Sequence, residues 1–111
     1  MRRNFKVYFE DVLKAILNVE EYVGNLSFEE FRENKLVQDA VIRNLEVIGE
    51  AVKNIPKEIK KEHSEIEWRE IAGLRDILIH RYFEVNTRIL WDIVKNKLPD
   101  LKKKVSKILK K

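Results

Sequence analysis

The sequence is poor in the residues that shape many folds and sites: its 111 residues include no cysteine, three glycines and two prolines. The absence of cysteine excludes disulfides, thiolate nucleophiles and cysteine-ligated metal sites. Because glycine and proline supply most turns, their scarcity argues against a β fold and favours an all-α fold. No apolar run approaches the roughly 20 residues that a membrane helix needs. The basic start at residues 1–3 leads into an amphipathic pattern, not a signal-peptide core, so we expect a soluble, cytoplasmic protein.

What is present suits a single helical domain spanning residues 1–111. Hydrophobic residues make up 44% and charged residues 38% of the chain, a hydrophobic share normal for a globular protein. The formal net charge of +4 is mild. It permits an acidic or nucleic-acid partner without requiring one.

Apolar residues recur at helical intervals in two long stretches of the first half of the chain. The stripes are Phe5, Phe9, Val12, Ile16, Val19 and Val23, then Val37, Val41, Leu45, Ile48 and Val52. Gly24 is a natural C-terminal stop for the first helix. Ser27 and Glu30 have capping-box spacing and predict the start of a second helix. Asn34 predicts a restart of that helix after a short irregular piece around Phe31.

The second half of the chain is predicted to form shorter helices. Pro56 suits the first turn of a third helix that ends near His63. A fourth helix should begin at Ser64 or Glu65, and Asn86 is a good N-cap for a fifth.

Pro99 marks a break or a fresh first turn near the end of the chain. Together these signals predict an up-and-down bundle of four to five helices with short connections.

The chemically richest stretch is residues 74–82, where Arg75, Asp76, His80 and Tyr82 interrupt an apolar helical run. Asp76 and His80 are one helical turn apart, so the carboxylate can fix the imidazole tautomer and raise its proton affinity. Arg75 is about 140° from His80 around a helix, so its long side chain or a loosened final turn must bring both to one group. A guanidinium beside a histidine suits phosphodiester cleavage, with a ribose hydroxyl as nucleophile and without a metal or cofactor.

Plainer interpretations of these residues stay open. Arg75 and Asp76 can be ordinary surface charges, and His80 can be a residue favoured by the helix dipole. Tyr82 can be a half-buried aromatic with a solvated hydroxyl. We expect Trp68 and Trp91 to anchor the core and not to stack on nucleobases.

The pattern Arg75-x-x-x-x-His80-x-Tyr82 resembles the signature of the HepT proteins, a branch of the HEPN superfamily. The resemblance extends to other segments of the chain. These are residues 40–51, 55–57, 66–68, 73–76 and 85–86, Trp91, and residues 98–99. It covers nearly the whole chain, from about Tyr8 to Ile108.

This resemblance implies a dimeric HEPN-like bundle with the two motif stretches near a shared cleft. It implies a metal-independent endoribonuclease that cleaves RNA and is the toxin of a type VII toxin–antitoxin pair. The implied antitoxin is a small MntA-type nucleotidyltransferase. The competing hypotheses are a non-catalytic helical partner of such a nucleotidyltransferase and a simple oligomeric scaffold.

The resemblance also assigns roles to the motif residues. Arg75 would bind the scissile phosphate, His80 would act as acid or base, and Asp76 would orient the site. Tyr82 would accept AMP from the antitoxin. The added charge and bulk would then oppose RNA phosphate in the cleft.

Overall fold

The computed structural model describes residues 5–80 and 86–110, with the backbone alone for residues 75–80. Across these ranges the chain is helical and contains no strand, which confirms the all-α prediction. The helices are α1 (Lys6–Val23), α2 (Phe28–Arg32), α3 (Lys35–Lys53), α4 (Lys57–Glu62), α5 (Trp68–His80), α6 (Thr87–Asp92) and α7 (Leu98–Leu109), with a π-helical turn at Ile93–Lys97. None of the described helices is both long enough and apolar enough to cross a bilayer.

The first two connections follow the capping signals of the sequence. Gly24 ends α1 with a positive φ of 50°, and its N–H donates to Glu20 O at 2.9 Å. Ser27 and Glu30 form the reciprocal capping box, with Ser27 N–H donating to Glu30 Oε1 at 2.8 Å and Glu30 N–H to Ser27 Oγ at 3.2 Å. Asn34 then caps α3 by accepting from Val37 N–H at 3.0 Å. The piece expected to be irregular is the short helix α2.

The core lies where α3 packs against both α1 and α5, while α1 also packs against α7. Both predicted stripes point inward, and Phe9, Ile16 and Leu45 are fully buried. Burying each such side chain contributes about 1.5–3 kcal/mol, so this interface is the main source of stability. Among the described residues, Asn44 is the one buried polar side chain.

Helix α5, which corresponds to the predicted fourth helix, begins later than the sequence indicates. We expected a helix start at Ser64 or Glu65, but α5 begins at Trp68. The Trp68 indole Nε1–H donates to Lys60 O at 3.1 Å and His63 O at 3.0 Å, and these bonds hold the intervening residues as a turn. The turn also buries Ile66, whose side chain is 2% exposed. Tertiary bonding therefore overrides the local helix signal.

Pro99 lies in the first turn of α7, which confirms the predicted fresh first turn, and the π turn directly precedes it. Proline lacks an N–H and its ring clashes with the carbonyl four residues earlier, here that of Lys95. The chain responds with the π turn, in which Leu98 N–H donates to Ile93 O. Asn86 caps the start of α6 as predicted, by accepting from Arg88 N–H at 2.7 Å.

Candidate functional site

The backbone of α5 is an uninterrupted α-helix through His80. Arg75, Asp76 and His80 therefore lie on its last two turns, while Tyr82 lies outside the described residues. On a regular helix, positions 76 and 80 are one turn apart on one side, and positions 75 and 80 are separated by about 140°. The final turn is not loosened, so the backbone of one copy does not bring Arg75 and His80 together. Their convergence on one phosphate stays a prediction.

The end of α5 lies near the start of α3. The two helices pack together and are joined only by α4 and short turns, so they run in opposite directions. Helix α2 immediately precedes α3, and it contacts α6. We call this end of the bundle, formed by residues 28–36, 75–80 and 86–95, the motif end.

A cleft of about 620 Å³ runs beside α5, between α3 and the segment from α6 to α7. Its volume falls in the range of about 300–1,000 Å³ that small-molecule sites occupy. The floor is apolar and includes Leu45, Ile48, Ile71 and Leu74. Leu74 directly precedes Arg75, so the cleft adjoins the motif.

The charged rim of this cleft does not favour an anion. Its acidic members are Glu67, Glu70, Asp92 and Asp100, and its basic members are Lys97 and Lys104. Lys104 Nζ already donates to Asp100 Oδ2 at 2.9 Å and to Glu65 O at 2.7 Å. The hydrogen bond with Asp100 raises the pKa of Lys104. An RNA phosphate is better placed outside this cleft.

A group of aromatic and cationic side chains lies at the motif end, where α2 meets α6. The Arg88 guanidinium lies 4.1 Å from the centroid of the Phe28 ring, and Lys95 Nζ lies 4.8 Å from that of Trp91. Arg32 also approaches Phe28, at 5.9 Å. We call these five residues the cation–aromatic cluster.

This cluster is not evident in the sequence because it joins residues far apart in the chain. Trp91 packs against the buried Phe31 with ring centroids 5.2 Å apart, which confirms its predicted role as a core anchor. The local signal is the spacing of Arg88, Trp91 and Lys95, which places one aromatic and two cations on one side of a helix.

The second histidine lies elsewhere in the bundle. His63 ends α4, packs edge-on against Phe9 with ring centroids 6.1 Å apart, and its Nδ1 lies 3.8 Å from Glu65 Oε2. A structural role at the start of α5 accounts for these contacts. Within the described residues no group of three or more histidine, aspartate or glutamate side chains could hold a metal ion.

Comparison with known proteins places this chain in a family. The family described as ribonuclease HepT-like matches residues 12–108, which include the whole motif stretch. The chain is 51% identical over 110 residues to a probable ribonuclease HepT of Thermococcus cleftensis, covering 99% of this chain and 100% of that protein. It is 47% identical over 104 residues to a candidate RNase of Caldanaerobacter subterraneus, covering 94% and 93% of the two chains. No solved structure gives a significant match. The chain belongs to the HepT-like ribonuclease family.

Proposed function

We propose that this protein is a metal-independent endoribonuclease, the toxin of a type VII toxin–antitoxin pair. The observation that carries the proposal is the family match across residues 12–108, together with two relatives matched over nearly their whole lengths and named as ribonucleases. The match includes Arg75, Asp76 and His80, and α5 holds these positions on its last two turns.

The residue types suggest how cleavage proceeds. His80 removes the proton from a ribose 2′-hydroxyl, and the 2′-oxygen forms a bond to the adjacent phosphorus. The bond from phosphorus to the 5′-oxygen of the next nucleotide breaks, that oxygen takes up a proton from water, and His80 releases its proton to solvent, which leaves a 2′,3′-cyclic phosphate and a 5′-hydroxyl. Arg75 stabilises the charge that develops on the phosphate oxygens, since a guanidinium binds them bidentately. Asp76, one turn before His80, orients the imidazole and favours its protonated form.

A dimer would complete this site. Because α5 is regular through His80, positions 75 and 80 of one copy lie about 140° apart around the helix, and we propose that a second copy supplies the missing group. Two large apolar side chains at the motif end support such a contact: Leu36 is 80% exposed and Ile89 is 58% exposed. A contiguous exposed apolar patch marks an association surface, and we propose that these two side chains belong to one.

We propose that the nuclease activity is regulated through Tyr82. It is two positions beyond His80, so AMP attached to its hydroxyl by an MntA-type nucleotidyltransferase would add a phosphate next to the catalytic residues. Its negative charge would repel the RNA backbone, and its bulk would compete for the same space. We therefore propose that modification of Tyr82 silences the nuclease.

RNA cleavage in EDTA tests the proposal, with the parent protein beside His80→Ala. Mass spectrometry first verifies that Tyr82 is unmodified, and circular dichroism verifies that both proteins are folded. We expect products from the parent and none from His80→Ala. A His63→Gln control should keep cleavage, since that histidine packs at the other end of α5. Equal cleavage by parent and His80→Ala would refute the catalytic assignment. Intact RNA with both proteins would favour the non-catalytic partner of a nucleotidyltransferase.

A further inference from the structure

We propose that the cation–aromatic cluster is an RNA-binding surface that holds the phosphate backbone of the substrate beside the motif. This inference rests on the proposed ribonuclease function and adds a second site to it. The cluster lies on α2, α6 and the π turn, separate from the motif positions on α5.

Arg88 is the centre of the cluster. Its guanidinium stacks 4.1 Å from the centroid of the Phe28 ring while the residue remains exposed. Within the described part of the chain, no carboxylate pairs with Arg88. Asp92 is one turn further along, but its carboxylate accepts from Asn96 Nδ2 at 2.6 Å and lines the cleft instead. Since stacking engages one face of a guanidinium, its in-plane N–H groups remain available for a phosphate.

Lys95 supplies a second cation on the same side. Its Nζ lies 4.8 Å from the Trp91 ring centroid, the residue is exposed, and the described residues provide it with no carboxylate. Arg88 and Lys95 are seven positions apart, about 10 Å along the helix axis. This separation is too large for one phosphate, so the two cations suit different phosphates of one strand.

Arg32 contributes less to the positive charge of the cluster. It reaches the Phe28 ring at 5.9 Å, but its Nε also lies 3.4 Å from Glu33 Oε2. Its charge is therefore partly compensated by an exposed ion pair, although such pairs are weak and can exchange for a phosphate.

The aromatic rings make the surface rigid. Phe28 and Trp91 meet edge-on with centroids 5.9 Å apart, and Trp91 rests on Phe31, which is 0% exposed. The cations are thus held on a fixed base, so less conformational freedom is lost when they bind a ligand.

The chemistry favours RNA over an acidic protein. The exposed guanidinium of Arg88, stacked on Phe28, combines donors for a phosphate with an outer planar face on which an unpaired base stacks, as single-stranded nucleic acid requires. The cluster lies at the motif end, so a strand bound along α6 extends toward the last turns of α5. The cluster would lower KM and leave the chemical step to the motif.

Fluorescence anisotropy with a labelled single-stranded RNA tests this inference. All proteins carry His80→Ala, so binding is measured without cleavage, and the salt concentration is varied. Arg88→Gln, Lys95→Gln and the double variant are compared with Lys53→Gln. Lys53 is an exposed residue in the last turn of α3, about 27 Å along that helix from its first residue.

We expect the double variant to bind RNA at least about 10-fold more weakly, with a salt dependence reduced by about one unit per lost phosphate contact. Lys53→Gln should match the parent. Arg88→Lys should recover part of the affinity, because it restores the charge without the planar group. In proteins that retain His80, the double variant should raise KM and leave kcat unchanged. Thermal unfolding verifies that the variants are folded.

Three results would overturn the inference, each in a different way. If the double variant and Lys53→Gln bind RNA equally while the parent cleaves it, the cluster is not an RNA site and the ribonuclease proposal stands. If the double variant keeps RNA binding but loses a nucleotidyltransferase partner, the surface is a protein interface. A parent that neither binds nor cleaves RNA would refute the inference together with the proposed function.

Discussion

Asn18 donates its side-chain N–H to Asn44 Oδ1 at 3.2 Å, which joins α1 to α3 through a polar contact inside an otherwise apolar interface. Asn44 is 9% exposed, and its own Nδ2 donates to Ala40 O at 2.9 Å. This pair fixes how the two longest helices are aligned along their axes, because a shift of one turn would leave buried amide groups without partners.

The first prediction concerns this pair. Asn44→Ala should lower the free energy of unfolding by about 1–3 kcal/mol, because it removes two hydrogen bonds and leaves a small cavity. Urea denaturation measures the change. Asn54→Ala is the matched control, since Asn54 is exposed and its Nδ2 also donates to a helix carbonyl, Glu50 O at 3.0 Å. We expect Asn54→Ala to lower the free energy of unfolding by less than Asn44→Ala does. Equal losses at both positions would contradict the role assigned to the Asn18–Asn44 pair.

The second prediction concerns the start of α5. Trp68→Phe keeps an aromatic ring against Phe9 but removes the indole N–H that donates to Lys60 O and His63 O. The two carbonyls keep their backbone donors, His63 N–H and Ile66 N–H, but lose the indole donor, so the free energy of unfolding should fall by about 1–2 kcal/mol. Thermal unfolding followed by circular dichroism measures the shift in Tm.

Trp91→Phe is the control for that change, because Trp91 is also half-buried and packs on an aromatic neighbour, Phe31. No hydrogen bond of its indole N–H anchors a connecting turn within the described residues. A larger loss at Trp91 than at Trp68 would show that ring volume, not the hydrogen bonds, dominates.

The third prediction concerns association. If Leu36 and Ile89 belong to the dimer surface, Leu36→Ser should raise the dimer Kd by about 10-fold, the equivalent of roughly 1.4 kcal/mol of lost apolar burial. Sedimentation velocity over a concentration series measures the Kd. Leu17→Ser is the control, because Leu17 is 45% exposed on α1. A change confined to Leu17→Ser would move the association surface from the motif end to α1.

Much of the fold could be predicted because its signals are local. The capping box of Ser27 and Glu30, the stop at Gly24 and the cap at Asn34 each act within a few residues, and all three appear as expected. The start of α5 was predicted wrongly because Trp68 is held by Lys60, His63 and Phe9, and a pattern of neighbouring residues does not reveal such contacts.

The candidate site likewise has one part that the sequence predicts and one part that it does not. The positions of Arg75, Asp76 and His80 on a helix followed from apolar spacing, and the backbone of α5 confirms that they are helical. Their roles came from resemblance and stay predictions, as does the role of Tyr82. The cation–aromatic cluster forms only when α2 packs against α6. The spacing of residues along one helical segment therefore indicates Arg88, Trp91 and Lys95 but not Phe28 and Arg32.

The hydrogen bonds of Trp68 have a mechanical consequence for the distant end of its helix. They clamp the first residue of α5, whereas His80 is about 18 Å further along the axis. A tilt of α5 by roughly 5° at Trp68 would therefore displace position 80 by roughly 1.6 Å over that length. A misplacement of about 1 Å can reduce a reaction rate by about 100-fold. If His80 has the catalytic role that we propose, substitutions of Trp68 should thus lower the cleavage rate in a protein that is still folded.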